Sequence, residues 1–184
     1  MIDISNVNVL INASGIVDSG GARVFEKLLN ELSASPSHHY YIVCSRGINL
    51  DYLIDRYKIF SNLYFITVRN TSLLSRFYFE NFLFRKIISK NNIQLIYNFS
   101  GSSQFLMPVP QLVKIQNLAF YSKKLDLLYW SKGYFFLWIR DVFFKRSVFR
   151  FMLNRSKNIE IQSSHVKSYL LDFIDTREKA FYVK

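Results

Sequence analysis

Four short segments hold the glycines and polar side chains whose placement could do chemistry. The first runs from Ser14 to Arg23 and contains Gly15, Gly20 and Gly21. A glycine pair at a strand-to-helix turn lets backbone amides approach a ligand closely, and it leaves the positive helix end open to an anion. The same pair also serves a tight turn that binds nothing. Neither G-x-G-x-x-G nor a G-K-[ST] phosphate loop is present. The second segment, Tyr97 to Ser102, ends a strand with small residues around Gly101. That leaves room above a sheet edge, or it is an ordinary turn. The third, Lys114 to Phe120, places Gln116 and Asn117 at a strand end. Amides donate and accept, which suits hydroxyl-rich ligands, and an Asn also caps local turns. The fourth, Ile161 to Lys167, offers Ser163 or Ser164 as a helix cap, with His165 in the first turn behind it. Imidazole titrates in a usable range, although a lone His is more often incidental. His38 and His39 precede a strand and fall at the opposite edge.

The elements that must position these segments alternate. Apolar runs of strand length are Val7–Asn12, Tyr40–Cys44, Leu63–Val68, Gln94–Phe99, Leu112–Gln116, Asn158–Gln162 and Ala180–Val183. Between them lie helical periods: Val24, Leu28, Leu29 and Leu32; Leu50–Tyr57; Leu73–Ser89; Gly133–Asn154; and Ser164–Phe173. Repeated βα units predict a Rossmann-like α/β fold, a mostly parallel sheet of six or seven strands with helices on both faces. Ligands of such sheets bind at the carboxyl ends of the strands, near the point where strand order reverses. That rule selects the loops after the first, fourth, fifth and sixth strands.

The segment Gly133–Asn154 combines aromatics with cations. At helical period Trp138, Val142, Phe149 and Leu153 form one stripe, predicted to pack on the sheet. Arg140, Phe143, Ser147, Arg150 and Phe151 form another, predicted to face outward. Aromatic rings on a basic face call for a cover. An anionic membrane surface is one candidate, with Arg140, Phe143, Arg150 and Phe151 as its contacts. A further domain or subunit is the other.

Composition narrows the partners. Half of the 184 residues are hydrophobic, enough to bury a core and to exclude a disordered chain. The formal charge of +11 suits anionic lipid, nucleic acid or phosphorylated ligands. The single cysteine, Cys44, permits no internal disulfide or thiolate metal site and fits a reducing cytoplasm. It ends an apolar run, so a buried strand position is expected. No secretory signal is visible at the start. No apolar stretch reaches the ~18 residues of a membrane span, because Arg140, Asp141, Lys145, Arg146 and Arg150 interrupt the best candidate.

Taken in order, the Gly-Gly loop, the N-F-S-G-S turn, the Q-N-L-A-F segment and the I-Q-S-S-H-V-K segment resemble the N-terminal domain of group-1, family-4 glycosyltransferases. The bacterial enzymes that build lipopolysaccharide O-antigen, capsule and other surface polysaccharides are the nearest in kind. The resemblance covers nearly the whole chain. It implies one half of a GT-B fold, a single Rossmann-like acceptor-side domain over residues 1–184. The C-terminal domain that grips the nucleotide sugar is then expected to be absent. It implies transfer with retention, no resident cofactor and no required metal. The nucleotide sugar is a co-substrate of the complete enzyme, and the acceptor is a glycan or a lipid-linked sugar. Gly20 and Gly21 would face the donor diphosphate. Gly101 and Asn117 would line the acceptor side, with Ser163 and His165 at the rim. No catalytic residue is assigned, and the chain alone is expected to be inactive.

Other readings remain open. A nucleic-acid-binding module fits the charge and aromatics, but no helix-turn-helix, zinc finger or RNP-like motif is present, and no nucleic-acid partner is expected. A non-catalytic basic membrane-surface module is the alternative. In either the enzyme or the membrane reading, the location expected is the inner face of the cytoplasmic membrane.

Overall fold

A computed structural model of the chain describes residues 6–16, 19–69, 78–99, 101, 103–105, 107–115 and 123–183. The strands are β1 (Asn8–Ala13), β2 (His39–Ser45), β3 (Leu63–Val68), β4 (Leu95–Asn98), β5 (Gln111–Lys114), β6 (Asn158–Ile161) and β7 (Ala180–Val183). They form a seven-stranded sheet in the order β3-β2-β1-β4-β5-β6-β7, and every described pairing is parallel. This is the Rossmann-like α/β fold that the alternating pattern predicts.

Helices connect the strands: α1 (Ser19–Ser33), α2 (Ile48–Tyr57), α3 (Phe84–Lys90), α4 (Lys123–Ser131), α5 (Phe135–Trp138), α6 (Phe144–Arg155) and α7 (Ser164–Leu171). Two five-residue π-turns adjoin them, Phe79–Leu83 before α3 and Ile139–Phe143 between α5 and α6.

The chain divides into two compact units. The first comprises residues 1–100 with 104–110, and the second comprises 101–103 with 111–184. In the first, Leu10, Val43, Phe84, Ile88, Ile93 and Ile96 make one core cluster, and Phe25, Leu28, Leu29 and Ile42 are also buried. In the second, Val113, Ile115, Leu153, Ile159, Ile161, Val166, Leu170 and Ile174 pack together. Strand residues two apart share a face, which is why Val113 with Ile115, and Ile159 with Ile161, enter the same cluster.

Three expectations change. α1 begins at Ser19, so Gly20 and Gly21 lie in its first turn and not in the loop before it. Glycine is tolerated there because first-turn amides have no intrahelical partner to lose. The helix expected over Gly133–Asn154 runs without interruption from Phe135 to Arg155 but holds the π-turn inside it, and α4, which showed no apolar periodicity, precedes it. Trp138 consequently leaves its stripe. Val142 and Leu153 are buried and Phe149 packs against the second core. Trp138 is only half-buried and contacts α4 and α5 residues instead. A π-turn closes i→i+5 bonds and slips the helical phase, so a 3.6-residue stripe does not carry across it.

Candidate functional site

β1 and β4 are hydrogen-bonded neighbours, and strand order reverses between them. The carboxyl ends of these two strands are therefore the switch point where open α/β sheets take their ligands. What stands there is a buried polar network. Asn12, one residue short of the end of β1, is fully buried, as is Asn98, the last residue of β4. Each follows a core residue at two-residue spacing, Leu10 and Ile96, and so lies on the face that α3 covers.

Glu80 meets them from the π-turn before α3 and is only 4% exposed. Its Oε1 accepts from Asn12 Nδ2 at 3.0 Å and from Ser14 Oγ at 2.9 Å. Asn12 Nδ2 also donates to Asn98 Oδ1 at 3.4 Å. Asn12 Oδ1 accepts from the Ser14 amide at 3.2 Å and from Ser14 Oγ at 2.7 Å. Ser45 Oγ, at the end of β2, donates to the Ser14 carbonyl. Beside Glu80, Asn81 Oδ1 accepts from the Phe105 amide at 2.7 Å and ties the segment 104–110 to the same turn.

A carboxylate this deep is costly unless charge-assisted hydrogen bonds compensate it. The bonds found do that, and they fix the backbone that leaves β1. Ser14 folds over Asn12, and the Ile16 amide returns to the Ala13 carbonyl at 3.1 Å. The buried side chains thus hold the loop, and the amides of the loop and of the first turn of α1 are what a ligand could meet. That first turn holds Gly20 and Gly21 and no acidic residue.

The sequence pattern pointed to the loop from Ser14 to Gly21 and to the Asn98 turn but missed Asn12 and Glu80. A signal for Glu80 existed: Glu80-Asn81 is a polar pair inside the aromatic run Phe77 to Phe84. A polar pair in such a run points to buried partners.

In the second unit Gly101 has φ +81°, a backbone state that favours glycine, and an added Cβ would sit 3.4 Å from the Lys114 carbonyl oxygen. Beside it, Ser103 Oγ donates to the Met152 carbonyl at 2.9 Å. Ser163 occupies the N-cap position of α7, but its hydroxyl makes no capping hydrogen bond. His165 is exposed in the first turn of that helix, edge-on to Tyr169 at 5.1 Å between ring centres. Asn117 lies outside the described residues. At the ends of β5 and β6, Lys114 Nζ and Glu160 Oε1 form an ion pair of 2.8 Å with both side chains nearly buried. On the sheet face away from the second core, this pair lets two charges sit inside.

Cys44 is fully buried in β2, as expected. Burial pushes its thiol up to about 12, with Asp51 adding to the shift, so it is held as an unreactive thiol.

On the aromatic segment, Arg140, Phe143, Arg150 and Phe151 are all exposed, and Arg155 lies over the Phe151 ring at 4.4 Å. Among the described residues no helix is long and apolar enough to cross a membrane.

No protein-family model and no curated protein sequence matches the chain. It is similar in structure to a crystal structure of a glycosyltransferase from Rickettsia africae ESF-5, with a TM-score of 0.57 and 14% identity over 97% of this chain and 43% of that one. At that identity the likeness is one of fold, and this chain spans less than half the length of its neighbour. The buried network and the glycine turn thus sit on a parallel Rossmann-like sheet that a solved glycosyltransferase shares over part of its length.

Proposed function

We propose that this chain is the acceptor-side half of a GT-B glycosyltransferase of the group-1, family-4 kind, working in bacterial surface-polysaccharide synthesis. The complete enzyme moves a sugar from a nucleotide sugar to a lipid-linked or polysaccharide acceptor. The bond from sugar C1 to the nucleoside-diphosphate oxygen breaks, and one from C1 to an acceptor hydroxyl oxygen forms. The hydroxyl proton ends on the departing diphosphate. Transfer is retaining and needs no metal. Gly20 and Gly21 face the donor diphosphate. In the second unit Gly101, Asn117, Ser163 and His165 serve the acceptor. The donor-binding domain is a separate part of the complete enzyme, and this chain alone is inactive. It works at the inner face of the cytoplasmic membrane, with Arg140, Phe143, Arg150 and Phe151 on the lipid side.

The observation that supports this best is the network of Asn12, Ser14, Glu80 and Asn98 at the switch point. It fixes a polar loop where this fold binds ligands. The test is amide chemical-shift mapping on the isotope-labelled chain, titrated with UDP-glucose and with a short-chain polyprenyl-diphosphate sugar. Weak shifts from the donor at Gly15 to Ala22, with acceptor shifts at Gly101 and at Ser163 to His165, are expected. Shifts elsewhere, or measurable sugar transfer by the chain alone, would overturn the reading.

A further inference from the structure

The stretch from α4 to α6 is built as a hairpin with its apolar side chains on the outside. α4 ends in a Schellman motif: the Gly133 amide donates to the Trp130 carbonyl at 3.0 Å and the Tyr134 amide to the Tyr129 carbonyl at 2.9 Å. Gly133 closes it with φ +70°, the left-handed state that glycine adopts most readily. The chain then reverses into α5. Around this corner Leu127 is 63% exposed, Trp130 55%, Phe135 53% and Phe136 84%. α4 and α5 contain no buried residue.

The arms of the hairpin are nonetheless tied together. Asp126 accepts from Trp138 Nε1 at 2.6 Å and from Arg146 at 2.9 Å. The Trp138 ring lies edge-on to Trp130 at 5.7 Å and stacks on Phe135 at 6.1 Å. Val142 and Leu153 are buried and hold the base. The corner is therefore a held shape that shows aromatics to its surroundings. Single exposed rings are ordinary on protein surfaces, but a contiguous set on one corner marks a binding surface.

Charge identifies what covers it. Residues 123–155 carry eight Lys or Arg against two Asp, and Asp126 is already engaged by Arg146. Lys123, Lys124, Lys132, Arg140, Lys145 and Arg150 are all exposed. Aromatic and leucine side chains at a tip, with Lys132 in the turn beside them and further cations along both arms, complement one environment, the headgroup boundary of an anionic bilayer, to which a long Lys side chain can reach back. Rings enter the upper acyl region there, while ammonium and guanidinium groups stay at the phosphates.

We propose that the α4–α5 corner is a membrane-insertion tip, in which Leu127, Trp130, Phe135 and Phe136 enter an anionic bilayer. Arg140 and Arg150, on the return arm, stay at the headgroups. This rests on the membrane part of the reading above and goes further. It separates the residues that penetrate from those that only attract.

The two tryptophans of the chain, Trp130 and Trp138, both lie in this hairpin and make the test direct. Binding is measured by flotation with vesicles of phosphatidylcholine alone and with 30% phosphatidylglycerol (a fraction on the order of natural anionic-lipid contents). Depth is read from quenching by lipids brominated along the acyl chain. The Trp138→Phe variant reports Trp130, and Trp130→Phe reports Trp138. The expected result is preferential binding to anionic vesicles. Trp130 emission should shift to the blue and be strongly quenched, with Trp138 quenched less. Phe135→Ser with Phe136→Ser should weaken binding about tenfold or more, because two rings no longer leave water. Arg140→Glu with Arg150→Glu should do so on anionic vesicles alone.

If vesicles bind but Trp130 emission does not change, the insertion tip is wrong and only surface attraction survives. If no vesicle binds, the tip and the membrane part of the proposed function both fall. A dimer that Phe136→Ser dissociates, without lipid binding, would make a second copy the cover. Tight binding of a single-stranded oligonucleotide in place of vesicles would overturn the proposal in favour of a nucleic-acid surface. Circular dichroism of each variant guards against loss of fold, and Phe136 is exposed enough that its change should not cause one.

Discussion

The carboxyl edge of β1 and β4 and the corner of α4 and α5 invert the usual partition in opposite senses. The first hides polar groups, with Asn12, Ser14, Glu80 and Asn98 buried. The second shows apolar ones, with Phe135 and Phe136 more than half exposed. The difference lies in where each region's partners are. Buried polar atoms must be satisfied within the fold, so the network names its partners and its geometry is determined. Exposed rings are satisfied only by something outside the chain. The network therefore bears on stability and loop position, and the corner bears on association.

Deleting the centre of the network has the largest expected effect. Glu80→Ala leaves Asn12 Nδ2 and Ser14 Oγ without the oxygen both donate to. Asn12 Nδ2 keeps Asn98 Oδ1 and Ser14 Oγ keeps Asn12 Oδ1, so the cost is that of two lost bonds to a buried carboxylate, on the order of 2–3 kcal/mol. Glu80→Gln keeps an acceptor in place and should cost about 1 kcal/mol. Urea unfolding of the two variants measures this. Equal midpoints for Glu80→Ala and the parent chain would mean that the network is solvated and organises nothing.

Why the network was hidden in the sequence while the sheet was not follows from the range of the interactions. β3 and β7 fall where the apolar runs place them, and the other strands differ by a residue or two at their ends. A short run of apolar, aromatic and β-branched residues marks a strand by local composition alone, even in the edge strands β3 and β7, which are mostly not buried. Glu80 and Asn12 lie 68 residues apart and meet only once α3 crosses the sheet. No local pattern records that meeting. Gly20, Gly21, Gly101, Ser163 and His165 stood out in the sequence because residues at turns and helix starts are local signals. α4 escaped for a different reason. With no buried residue it has no core-facing stripe, and periodicity reads only helices that bury one face. The π-turn at Ile139–Phe143 then displaced Trp138 from the phase its spacing suggested.

A smaller effect should follow from cutting the tie between the hairpin arms. Asp126→Ala removes the acceptor for both Trp138 and Arg146. With its side chain 16% exposed, the expected loss is about 1–2 kcal/mol. Burial alone would raise this carboxyl. The hydrogen bonds from Arg146 and Trp138, with the charge of Arg146, outweigh that and hold it below its ordinary value. A depressed folded-state value stabilises the fold above the unfolded-state value near 3.8. That stabilisation fades as pH falls through the folded one. The gap between Asp126→Ala and the parent chain should therefore be full at pH 7 and narrow below about pH 4. Tryptophan-detected urea unfolding at the two pH values reads it. A gap that widens in acid would put the carboxyl's stabilisation on the wrong side of its titration.

The smallest effect belongs to Phe136→Ser, and its smallness is the informative part. The ring is 84% exposed, so folding removes little of its area from water and the substitution forfeits little burial. α5 is only four residues long, and Phe and Ser have similar helix propensities. A change within about 0.5 kcal/mol is expected in dilute solution without lipid, as for other exposed positions. The measurement is thermal unfolding at several protein concentrations. A midpoint independent of concentration in both chains leaves the ring uncovered in solution, as the contrast with the buried network requires. If Phe136→Ser instead lowers the midpoint appreciably, and the parent's midpoint rises with concentration, mass action is stabilising the fold through association. The ring then has a partner in water, the corner is an interface between copies, and the two regions differ less than their exposures suggest.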